Sequence, residues 1–190
     1  MKQYIHNQLQ YFDGTEFSPV AEDYLKAVLS FASWFMPALL FVLWSINYFP
    51  ETEFFSKAIN EGKAPNFWNL IGSLGLFLFG ICLAFPNNKT LILISTKVLL
   101  NAYAIGNLTL GLVTGQLLFL PFNTLTWWQV GLFSGGVSIA LGLNLLIWYV
   151  AFLVSKRSAF LAKVSKLSFG ARSFLSLITV TVVIYTFTNA

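Results

Sequence analysis

Ionisable side chains are scarce in this chain, and the acidic ones are confined to its first third. Charged residues make up 9% of the sequence, whereas soluble proteins carry about 25%. All seven Asp and Glu residues precede position 62. Proton-coupled pumps and transporters generally keep an acidic residue inside the membrane for the proton relay. The distribution of acids therefore argues against that class.

Cysteine and histidine each occur once, as Cys82 and His6. A single cysteine excludes an intrachain disulfide, and a single histidine excludes haem or metal sites that need several histidines from one chain. Phosphate-binding loops and hydrolase motifs are also missing from the sequence. We therefore predict no catalytic residue, no metal site and no cofactor bound by this chain alone, with lipids as the expected ligands. An enzyme or a redox-cofactor protein is a third and less favoured alternative.

Apolar residues are abundant instead, at 57% of the chain with a mean hydropathy of +0.73. Eleven basic and seven acidic residues cannot supply the polar surface of a soluble domain of 190 residues. The basic residues are not interleaved with aromatic ones on a soluble face, so nucleic acid is not an expected partner. The composition predicts an all-α integral membrane protein.

Five apolar runs are long enough for a bundle of about five transmembrane helices, since a bilayer core of about 30 Å needs about 20 helical residues. The last run is the shortest. We predict a polar leader at 1–26 and one transmembrane domain at 27–190. The predicted spans are 27–49, 67–85, 91–120, 127–154 and 173–188.

Lysine and arginine residues are distributed unequally between the two sides of this predicted bundle. Eight lie on the side of the N-terminus and two, Lys57 and Lys63, on the other. The positive-inside rule then predicts an N-terminus inside and a C-terminus outside. A plasma or inner membrane is the favoured location, and an organelle membrane is the alternative. Five of the eight cations are predicted to contact anionic lipids: Lys156, Arg157, Lys163, Lys166 and Arg172.

The third run is the only one with a charge in it, and it carries four candidate contacts for a ligand or partner: Lys97, Asn101, Asn107 and Gln116. Lys97 fits three roles, which are a side chain that snorkels to the interface, a buried polar contact between helices, and a substrate site. The amides fit either hydrogen bonds between helices or the lining of a pathway.

Small residues share helical faces on two other runs and predict close helix packing. They are Ser30 and Ser33 on the first run, and Gly131, Gly135, Ser138 and Gly142 on the fourth. The sequence thus favours a non-catalytic subunit or accessory protein that packs against other integral membrane proteins or against itself. The alternative is a small permease or a lipid- or solute-handling protein that uses the polar residues of the third run.

Overall fold

The computed structural model describes residues 21–48, 63–118, 126–155 and 159–188, and 91% of these residues are helical with no strand among them. This confirms the predicted all-α class, and all helices except the short α5 are long and apolar enough to cross a membrane, as a multi-pass membrane protein requires. The helices are α1 (Ala21–Tyr48), α2 (Lys63–Ala84), α3 (Lys89–Leu117), α4 (Trp127–Val154), α5 (Phe160–Val164) and α6 (Phe169–Thr188).

Two helix starts have identifiable caps, and the start of α4 agrees with the sequence. Helix α4 has the bounds predicted for the fourth span, and Thr126 forms a capping box with Gln129 at its start. Helix α3 begins at Lys89, two residues before the predicted third span, and the Asn88 side chain accepts a hydrogen bond from the Leu91 amide at 3.1 Å. These caps satisfy amide groups that have no partner inside the helix.

The other helix bounds differ from the predicted spans. Helix α2 begins at Lys63 rather than at the predicted 67, with Pro65 in the first turn where proline is tolerated. Helix α6 begins at Phe169 rather than at 173, which places Arg172 inside its first turn. Helix α3 ends at Leu117, before the predicted 120, and α1 already includes Ala21. The leader up to residue 20, with His6, lies outside the described residues.

Helix α3 is the centre of the bundle. It contacts α1, α2 and α4, whereas α6 packs on α2. In the most apolar stretch of α3, 50% of the residues are buried inside the chain, compared with 6% in that of α6. Polar residues on α3 are therefore the ones most able to join neighbouring helices.

Contacts along α3 fix the relative directions of the helices. Helix α1 runs parallel to α3, since Ala27 lies level with Tyr103 and Val42 with Gly115. Helix α2 runs antiparallel to α3, with Trp68 beside Gly106 and Gly75 against Leu99 further along. Helix α4 runs parallel to α2, because Asn144 lies near Trp68, and Ile147 near Gly72. The start of α3 and the ends of α2 and α4 therefore share one end of the bundle.

Glycines allow the close approach of these helices. At six positions a Cβ atom would meet a neighbouring helix at 3.3 Å or less, which is tighter than ordinary van der Waals contact. Small residues at such contacts are typical of helix packing in membranes, where van der Waals contact replaces the hydrophobic driving force. The six are Gly72, Gly75 and Gly80 on α2, and Gly106, Gly111 and Gly115 on α3.

Candidate functional site

The structure separates the four polar residues that the sequence singled out on α3. Lys97 and Asn101 lie one turn apart on an exposed face, whereas Asn107 is fully buried and Gln116 is partly buried. The four residues therefore do not form one continuous polar line. A ligand or partner contact at any of them stays a prediction.

Asn107 belongs to a pair of buried amides that joins α3 to α4, which we call the amide node. The Nδ2 atom of Asn144 donates to Oδ1 of Asn107 at 2.6 Å and to the backbone oxygen of Tyr103 at 3.1 Å. Both asparagines have 0% exposure. Hydrogen bonds between membrane helices contribute about 0.6 kcal/mol on average and at most about 1.7 kcal/mol. The amide node thus fixes the register of α3 against α4.

Trp68 of α2 lies beside the amide node. A Cβ atom on Gly106 would lie 2.5 Å from Nε1 of Trp68 and would also collide with the side chain of Asn144. Within the described ranges, Nε1 of Trp68, Nδ2 of Asn107 and Oδ1 of Asn144 have no hydrogen-bond partner. The site is a neutral polar cluster where three helices meet, with its hydrogen bonds between α3 and α4, and the missing side chain of Gly106 provides the space for it.

The amide node has no group suited to acid–base or metal chemistry. Amides and an indole do not titrate near neutral pH. No group of three His, Cys, Asp or Glu residues that could hold a metal ion occurs in the part of the chain that the structure describes. Asn107 was predicted from the sequence, but Asn144 and Trp68 were missed. An asparagine in the second half of an otherwise apolar span was the available signal for Asn144.

Helix α1 is attached to α3 at two levels. The Tyr103 hydroxyl donates to the backbone oxygen of Ala27 at 2.9 Å. Further along, Gly111 and Gly115 admit the backbone of α1 at Phe35 and Leu39. These contacts cover one face of α1 with α3.

The predicted packing serines of α1 lie away from the contacts that Gly111 and Gly115 make with α1. Ser33 is exposed and its hydroxyl donates to the backbone oxygen of Leu29 at 2.7 Å, whereas Ser30 is partly buried. The α1 side chains that Gly111 and Gly115 face are Ala38 and Val42. Packing of Ser30 and Ser33 against a further protein stays a prediction.

The small residues of α4 form an exposed surface, the α4 ridge, which consists of Gly131, Gly135, Ser138 and Gly142. Among the described residues, no heavy atom of a neighbour lies within 4 Å of a Cβ built on any of its three glycines. At about 100° per residue, the ridge lies on the side of α4 roughly opposite Asn144. It therefore faces away from the bundle.

A groove with a volume of about 470 Å³ separates α1 from α4, and Tyr103 of α3 forms part of its wall. Its surface is almost wholly apolar, and it is open to the outside of the bundle. Such a surface suits a hydrocarbon chain better than a polar solute. Its other lining residues are Ala27, Val28, Phe31, Leu141, Leu145, Trp148 and Tyr149.

Three of the five cations predicted to contact lipids are described. Lys163 and Lys166 are exposed around the end of α5, and Arg172 is partly buried in the first turn of α6. Lys156 and Arg157 lie outside the described residues.

Comparison with known proteins assigns no relative to this chain. No protein family matches the sequence, and neither curated proteins nor solved structures give a significant match. Its function is therefore inferred from its own residues.

Proposed function

We propose that this chain is a small non-catalytic subunit of a membrane protein complex, and that it binds its partner through the α4 ridge. This proposal is supported by the lack of any described residue packed against the α4 ridge. The glycines of α2 and α3 each receive a neighbouring helix of the same chain, whereas Gly131, Gly135 and Gly142 have none among the described residues.

The chemistry of the α4 ridge suits a transmembrane helix as the partner. Lipid tails are as apolar as leucine, so association in the bilayer depends on close backbone approach at small residues. Gly131 and Gly135 are four residues apart, the spacing of the GxxxG motif. Helix α4 contains no charged residue, so its partner need not supply a counter-charge. The serine hydroxyl on the ridge is already bonded to its own helix, to the Ser134 oxygen at 2.8 Å.

We also propose an orientation for the chain and a class of partner. The N-terminus faces the inside of a plasma or inner membrane, because cations dominate that side of the sequence. The partner is another integral membrane subunit or a second copy of this chain.

Two adjacent glycines provide a matched test of the α4 ridge. Gly135→Leu is expected to weaken partner binding about tenfold, since a bulky side chain on a tightly packed contact costs about 1–3 kcal/mol. Gly136→Leu is the control, because Gly136 is equally open in this chain but lies about 100° around the helix from Gly135. The measurement is the amount of protein crosslinked to each variant in native membranes.

Comparison of the two variants distinguishes a specific interface from a general effect of adding leucine to α4. Loss of crosslinking with Gly135→Leu alone supports the proposal. Equal crosslinking of both variants, or equal loss, contradicts the role of the ridge. If the unaltered chain crosslinks to no protein and purifies as a monomer, it is not a subunit at all.

The groove favours lipid handling as a second function. Leu145→Trp is expected to fill the groove and to lower the amount of lipid that copurifies with the chain several-fold. Leu146→Trp is the control, because Leu146 is 51% exposed and is not among the lining residues. The measurement is lipid bound per protein after detergent extraction, and an equal amount for the two variants would exclude the groove as a lipid site.

A further inference from the structure

The connection between α4 and α6 is positively charged, and the half of the sequence that contains it has no Asp or Glu. Lys163, Lys166 and Arg172 lie within ten residues of one another, and no acidic residue occurs after Glu61 in the sequence. The first turn of α6 also lacks an acidic residue. The connection therefore has excess positive charge, to which the positive end of the α6 dipole adds.

Helix α5 fixes this connection to the bundle. Leu161 and Val164 are each 6% exposed and belong to the hydrophobic core, whereas Lys163 and Lys166 are exposed. The chain then turns tightly, with the Lys166 amide donating to the Lys163 oxygen at 3.2 Å. Two lysines are thus held on the outer side of an anchored turn.

Arg172, in the first turn of α6, has an unmet hydrogen-bonding requirement. Its Cζ atom lies 5.9 Å from the centroid of the Phe169 ring, which holds the guanidinium against that ring. Its Nε atom is buried and has no acceptor among the residues that the structure places. A guanidinium binds the oxygens of phosphate or carboxylate through parallel hydrogen bonds. The sequence after Glu61 supplies no Asp or Glu carboxylate, so phosphate is the matching group.

Apolar side chains around Arg172 indicate where such a phosphate comes from. Leu167 is 44% exposed, and Phe169 and Phe174 are each 63% exposed. Exposed apolar side chains beside cations are typical of a surface immersed at the boundary between head groups and acyl chains. At that depth the abundant phosphates belong to lipids.

We propose that Arg172, Lys163 and Lys166 form a binding site for the phosphate of an anionic phospholipid. Arg172 supplies the directional hydrogen bonds, and the two lysines supply additional positive charge. The site is independent of the α4 ridge, so that a failure of the proposed subunit function leaves it untouched.

The test uses the full chain in nanodiscs of phosphatidylcholine, with phosphatidylglycerol added stepwise and bound lipid counted by native mass spectrometry. Arg172→Gln is expected to weaken phosphatidylglycerol binding about tenfold, the usual effect of losing a charge-assisted hydrogen bond. Arg172→Lys is expected to restore only part of it, because lysine keeps the charge but lacks the planar fork. Lys166→Gln is expected to weaken binding less.

Lys63→Gln is the matched control, because Lys63 begins α2 at the opposite end of that helix from the α5 contact with Phe79. It should bind phosphatidylglycerol like the unaltered chain. Equal binding by Arg172→Gln and Lys63→Gln would overturn the proposal, and so would full restoration by Arg172→Lys, which would show a diffuse charge effect. Inorganic phosphate is the second arm: if the chain binds millimolar phosphate but no phosphatidylglycerol, the ligand is free phosphate and the lipid assignment is wrong.

Discussion

Gly111→Ala is expected to lower the free energy of unfolding by about 1–3 kcal/mol, although alanine is the better helix former. A Cβ atom at this position would collide with the backbone oxygen of Phe35 and lie 2.9 Å from Cβ of Ala38. The backbone of α1 cannot rotate away as a side chain can, so the whole helix must shift. Helix α1 is therefore expected to separate from α3 at this level.

Gly131→Ala is the control for this prediction. It is the same substitution in another apolar helix, but no described atom lies within 4 Å of the added methyl group. This variant should keep or gain stability, by up to about 1 kcal/mol from helix propensity. The measurement is thermal or denaturant unfolding in detergent, followed by circular dichroism. Equal stabilities of the two variants would show that α1 does not pack tightly on α3.

The number of long helices was predictable because each needs a separate run of apolar residues to cross the bilayer. The starts of α2 and α6 were less predictable, for a physical reason. Hydropathy indicates where a chain meets lipid, but a helix can begin in the polar region outside it. Lys63 and Arg172 are polar and helical at once, and the sequence-based bounds excluded both from the spans.

The candidate site was only partly predictable. Asn107 could be recognised because a polar residue in an apolar span needs a partner, but the identity of that partner depends on the register between two helices. Asn144 becomes the partner only once α3 and α4 are aligned. The sequence also cannot distinguish Gly106 from Gly131, since both are glycines in apolar helices. Only the structure shows that Gly106 faces Asn144, whereas no described residue lies within 4 Å of a Cβ atom built on Gly131.

The double variant Gly106→Ala with Asn144→Ala is expected to be more stable than the sum of the two single effects predicts. Gly106→Ala alone should lower the free energy of unfolding by about 1–3 kcal/mol, because the new methyl group would collide with Asn144 and lie 2.5 Å from Nε1 of Trp68. Asn144→Ala alone should cost about 1–3 kcal/mol, since it leaves Oδ1 of Asn107 buried without its donor.

In the double variant the methyl group at 106 occupies space that the Asn144 side chain has vacated. The expected coupling energy is about 0.5–3 kcal/mol, the usual range for residues in contact. The steric clash is relieved only in part, because the new methyl group still lies close to Nε1 of Trp68. Gly131→Ala combined with Asn144→Ala is the control, and its effects should add to within about 0.5 kcal/mol because the two positions lie thirteen residues apart on α4. Additive effects in the 106–144 pair as well would mean that Gly106 does not provide the space in which α2, α3 and α4 meet.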